Sequence, residues 1–105
     1  MDGLGYVFAT KKIADEKLPV RFMYREKPDN KQDSGWRFFS GTETQEYTDD
    51  ADNIKIISVK EIIKIDKSVK PYLNEEYGTA FERKDNNSEF TRIDDFSFNT
   101  DNGEV

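Results

Sequence analysis

Histidine and cysteine are both absent from this 105-residue chain. Without cysteine there is no disulfide, no thiolate nucleophile and no zinc-finger ligand, and without histidine there is no imidazole base. Ser-His-Asp and Cys-His nucleophilic sites are therefore excluded, which leaves an enzyme only carboxylates, lysines, tyrosines and hydroxyls to work with. A Gly-rich phosphate loop is also missing, because "DGLG" and "DSGW" are lone glycine turns. No window approaches eighteen apolar residues, and the start "MDGLGYVFATKK" lacks a basic stretch followed by an apolar run. The expectation is a soluble, cytoplasmic protein with no membrane association.

What is present fits one domain with one core. Hydrophobic residues reach only 34% against 36% charged, a balance that leans towards disorder, yet aromatics alone make up 13%. Large rings let a small core form from few residues. The 22 acidic and 16 basic residues give a formal charge of −6. That charge repels nucleic acid and anionic membranes and steers a basic partner inward.

"LGYVFAT" (Leu4 to Thr10) and "PVRFMYRE" (Pro19 to Glu26) read as strands, the second alternating Val20, Phe22 and Tyr24 against Arg21, Met23 and Arg25. "KKIADEKL" between them is too short for a stable helix and suits a loop or one helical turn. "KPDNKQDSG" (Lys27 to Gly35) reads as a surface loop, and "WRFFS" as a strand showing an aromatic to each face. "TETQEYTDDADN" reads as an acidic loop and "IKII" (Ile54 to Ile57) as a short strand. Ser58 and Glu61 then fit a capping box, with Val59, Ile62 and Ile63 on one helix face. A second helical turn carries Val69, Tyr72 and Leu73, with Pro71 tolerable only in its first turn. "TAFER" and "EFTRI" flank the turn-like "KDNNS" and predict a hairpin. The fold class is α+β: a single domain over 1–93, mainly an antiparallel sheet of five or six strands with one helical segment (58–73) on one face. Phe8, Phe22 and Phe38 are expected to share its core with Val59, Ile62 and Ile63. Residues 94–105 read as an acidic, flexible tail.

At "GYVFATKKI…PVRFMYREKPDNKQDSGWRFFSGTE" and again at "PYL…YGTAFER" the chain resembles a family of small bacterial proteins grouped with the predicted immunity proteins of polymorphic toxin systems. The resemblance runs from about Gly5 to Arg92 and is most specific from Met23 to Glu43. It implies an α+β fold and a cytoplasmic antidote that binds a cognate toxin domain, and it supplies no catalytic residue.

Among the residues themselves, Trp, Tyr and Arg are the usual anchors of binding interfaces, and long loops carry function more often than short ones. The two loops flanking "WRFFS" therefore give a candidate partner-binding set of Asp33, Trp36, Arg37, Glu43, Tyr47, Asp49 and Asp50, with Phe38 in the core and Trp36 near the rim. Loops at opposite ends of one strand can split such a patch, in which case the Glu43 to Asp50 half is the one to keep. The carboxylates of "EYTDDADN" lack the spacing of a calcium loop, so no metal and no cofactor is expected. Arg21, Arg25, Arg83 and Arg92 read as solvent-facing strand positions. The alternative to a toxin-binding protein is a small-molecule or nucleotide-binding module without catalysis; an enzyme would need a carboxylate pair whose geometry nothing in the sequence sets.

Overall fold

A computed structural model describes residues 5–28, 30–85 and 87–93 of the chain. Strand β1 (Tyr6–Thr10) leads into a single turn of helix, α1 (Lys11–Ala14), which ends where Lys17 adopts a left-handed backbone with φ 62° and its amide bonds the Ile13 carbonyl. Strands β2 (Phe22–Arg25) and β3 (Asp33–Phe39) follow, then α2 (Gln45–Asp49), a 3-10 turn (Ala51–Asn53) and β4 (Ile54–Ser58). Helix α3 (Val59–Ile65) continues into a 3-10 segment (Lys67–Tyr72), and β5 (Thr79–Glu82) and β6 (Thr91–Arg92) close the described chain as a hairpin. The strands form one six-stranded sheet in the order β4-β1-β3-β2-β5-β6. Every neighbouring pair is antiparallel except β1 with β3.

The helical segment covers one face, as the sequence predicts. Ser58 caps α3 by accepting from the Glu61 amide, while the Glu61 carboxylate turns to Lys17 at 3.5 Å. Asp66 separates the two helical pieces and joins them to the sheet. Its carboxylate accepts from the Ser68 amide, the Val20 amide and the Arg83 guanidinium, and Arg83 also donates to the Val20 carbonyl. Ile13, Val59, Ile62, Val69 and Leu73 pack on Val7, Ala9, Met23, Trp36, Phe38 and Phe81 in one core.

Six readings need correction. Phe8 and Phe22 do not join Phe38: β1 contributes Val7 and Ala9 to the core and β2 contributes Met23, so both phenylalanines lie half-buried on the opposite face. Val20 precedes β2 and is buried in the core, with its amide donating to Asp66, so the alternation that seems to run through it misassigns the strand's parity. Asp33, Ser34 and Gly35 are buried strand, not loop. Gly35 takes φ +90°, and a Cβ there would stand 2.2 Å from the Glu26 carbonyl oxygen. Much of the expected acidic loop is helical, in α2 and the 3-10 turn. Trp36 is 0% exposed and its indole donates to the Leu73 carbonyl at 3.0 Å. Finally, Arg83 is buried, and Arg25 bonds the carbonyls of Ser34 and Glu75 while lying over the rings of Trp36 and Tyr77. The acidic tail 94–105 lies outside the described residues.

Position on the two faces predicts unequal costs. Phe38→Ala should lower the unfolding free energy by about 3–5 kcal/mol, whereas Phe22→Ala should lower it by about 1–2 kcal/mol. Urea denaturation of both variants checks this, and equal losses would contradict the face assignment.

Candidate functional site

Glu43 is the hinge between sheet and acidic segment. One carboxylate oxygen accepts from the Thr10 hydroxyl, the Ser40 amide and the Ser40 hydroxyl, and the other accepts from the Gly41 amide. Burial alone would raise the Glu43 carboxyl, but these donors outweigh it and hold the group below its ordinary value of 4.5. Beyond it the chain turns on short-range caps: Thr44 accepts from the Tyr47 amide and Asp50 from the Asp52 amide. No residue of α2 is buried. From Gly41 to Asn53 the sequence holds five carboxylates and no lysine or arginine. The ring of Tyr47 lies under the Lys12 ammonium, 5.3 Å away. Burial raises the Tyr47 phenol, and the charges of Glu16, Glu43 and Asp15 add to that, so the end of α1 and the α2 segment share one negative field.

The seven predicted site residues fall into separate places. Asp49 and Asp50 are exposed, while Glu43 and Tyr47 are half-buried beside them. Asp33 and Arg37 sit together in the sheet, at 0% and 4% side-chain exposure. Two parallel bonds of 2.9 Å join guanidinium and carboxylate, and Glu26 takes the remaining Nε–H. Burial works against the Arg37 charge, yet the hydrogen bonds and charges of Asp33 and Glu26 leave its pKa raised. Trp36 points to the opposite side, into the core. Asp33 begins β3 and Glu43 lies beyond its other end, so the strand keeps the two groups apart.

Sequence reading missed a second candidate surface, the sheet face away from the helices. Tyr6 stacks on Phe8 with ring centroids 5.8 Å apart, and Phe39 meets both Phe22 at 5.5 Å and Tyr24 at 5.8 Å. Arg37 lies 3.9 Å from the Phe8 centroid, between the two clusters. All five aromatics are half-buried, Ile56 on the edge strand is 62% exposed, and no described helix contributes a buried residue to this side. Their alternation is visible in the sequence; which parity faces the helices is not. Among the described residues no group of three or more carboxylates is placed to hold a metal ion, and no helix is long and apolar enough to cross a membrane.

Two predictions test this geometry. Arg37→Ala should destabilise by about 3–5 kcal/mol in urea unfolding, because it leaves Asp33 buried without its counter-charge. Glu43 has a lowered folded-state pKa, so its contribution is full above 4.5 and declines as pH falls through the folded value. Glu43→Gln should therefore flatten the acid limb of the stability-versus-pH curve and leave the neutral region parallel to wild type. An unchanged acid limb would contradict the hydrogen-bonded carboxylate.

Residues 7–94 match the family model described as the Immunity protein Imm33 domain. No curated protein and no solved structure matches the chain. The matched span runs from the second residue of β1 to just beyond β6. The chain therefore belongs to the Imm33 family of immunity proteins.

Proposed function

We propose that this protein neutralises a cognate toxin domain of a polymorphic toxin system by binding it in the cytoplasm, with no chemistry of its own. Membership of the immunity family is the observation that carries the reading. The groups with shifted pKa values agree with recognition rather than catalysis. The Tyr24 phenol is raised by burial and by Glu26 against a lowering influence from Arg37, and the Tyr47 phenol is also raised, so both stay protonated at neutral pH. Glu43 is lowered and already accepts four hydrogen bonds, which suits an anchored anion and not a proton donor.

The half of the predicted set that remains at the surface is Glu43, Tyr47, Asp49 and Asp50. Held on capped turns at one end of the sheet, this segment projects negative charge that accelerates encounter with a basic toxin surface. Asp33, Trp36 and Arg37 act behind the surface by fixing the sheet. Trp36→Ala consequently tests folding, not contact.

The experiment is a binding measurement against the toxin domain encoded by the adjacent reading frame, with wild type and the double variant Asp49→Lys, Asp50→Lys. The variant should associate on the order of tenfold more slowly at low salt, and the gap should close as salt screens the field. Equal association rates at low salt would remove the segment from the encounter surface.

A further inference from the structure

The sheet face turned away from the helices is built like a contact surface. On a protein with a covered sheet, aromatic side chains at strand positions are buried on both sides. Here Tyr6, Phe8, Phe22, Tyr24 and Phe39 are only half-buried and Ile56 is 62% exposed, across the four adjacent strands β4, β1, β3 and β2. With strands ~4.8 Å apart, such a face offers roughly 400 Å² of mostly apolar area, the size at which a monomer's surface patch becomes functional. It is about half of what one partner contributes to a standard interface, so a stable complex would need more surface than this face alone.

That additional surface adjoins it. Thr10 alternates onto the same side as Tyr6 and Phe8, and its hydroxyl donates to Glu43, so the acidic α2 segment begins where the aromatic face ends. The charge of the face has the same sign. Its strand positions carry one cation, Arg37, which Asp33 and Glu26 already hold, and the exposed Glu82, paired in register with Phe22, adds another carboxylate. We infer that the open face of Tyr6, Phe8, Phe22, Tyr24, Phe39 and Ile56 is the main docking surface for the toxin domain, and that the part of the toxin seated on it is apolar and basic. The inference rests on the toxin-binding reading above. Lysine and arginine side chains suit such a face: their stems lie along the rings while the charged heads reach Glu82 and Glu43. A second copy of this chain suits it poorly, because a two-fold contact would set acidic rims against each other on molecules of formal charge −6.

The test uses Ile56→Lys and Glu82→Lys, singly and together, in the full chain. Both positions are exposed, so folding is preserved, and circular dichroism with a melting curve confirms it. Against the adjacent-frame toxin domain at high salt, where charge steering is screened, the double variant should bind at least about 30-fold more weakly through faster dissociation, whereas the effect of the Asp49, Asp50 variant should vanish there. Binding within threefold of wild type would overturn the docking face while leaving the toxin-binding reading standing. Failure of wild type itself to bind any toxin domain would overturn both. Sedimentation of free wild type as a dimer that Ile56→Lys converts to monomer would assign the face to a second copy and overturn the inference.

Discussion

One indole decides which way every strand faces. Trp36 sits in the middle of the sheet, and its N–H reaches the Leu73 carbonyl at the end of the helical segment. A buried indole donor left unpaired would cost about 1–3 kcal/mol, so this bond holds β3 with its Trp36 side towards the helices. Alternation then carries the decision outward. Phe38 follows Trp36, Met23 pairs with Phe38, Phe81 pairs with Met23, and Ala9 lies beside Phe38 on the other flank. Each is a core residue, and each commits its own neighbours in sequence to the opposite face.

That commitment forces a guanidinium onto the central strand. Arg37 has to be satisfied where water hardly reaches, and its main partner is four residues back in the same strand. In a regular strand the backbone of residues i and i+4 would be about 13 Å apart. The irregularity that sets Tyr6 opposite Asp33 but Phe8 opposite Arg37 packs extra residues into this stretch, and the positive φ of Gly35 makes it possible. Asp33 thereby comes within a bidentate contact of Arg37. The rings of Phe8 and Tyr24 beside it lower the local polarity, which strengthens the ion pair and raises the penalty for losing either member.

Much of this architecture is legible in the sequence, and the illegible parts have common physical causes. Local signals gave the elements: the Ser58 cap, the Asp66 break before Pro71, the single turn at Lys11, and the hairpin around Asp85 all depend on residues a few positions apart. Face and depth depend on partners far along the chain. With aromatics on both sides of β3, and with those of β1 and β2 on the side away from the helices, no count of ring area distinguishes core parity from surface parity. "DSG" has the composition of a turn, yet Asp33 and Gly35 serve a buried salt bridge and a bulge. The arginines mislead similarly: Arg25 and Arg83 bind backbone carbonyls supplied by segments that only the fold brings near. For the site, charge was readable because exposure follows from composition in "TDDADN". The aromatic face was not, since it is defined by the lack of any described helix over it.

Under the proposed toxin-binding role, immunity imposes demands on both rate and affinity, and the two proposed surfaces would meet them by different physics. In that role, charge on the α2 segment would act across a Debye length and speed encounter without requiring fit. Rings on the sheet would act only in contact, and they would lose little side-chain freedom on binding because neighbouring strands and the Arg37 ion pair already hold them. Rigidity of that kind favours slow dissociation. A sheet whose centre is fixed by a buried ion pair gains less stability than an apolar centre would give, and in the proposed binding role the fixed centre would offer the partner a preorganised face. The uneven treatment of the two sheet faces, one sealed by helices and the other lined among the described residues by half-buried aromatics around a neutralised arginine, is then what the proposed binding role requires.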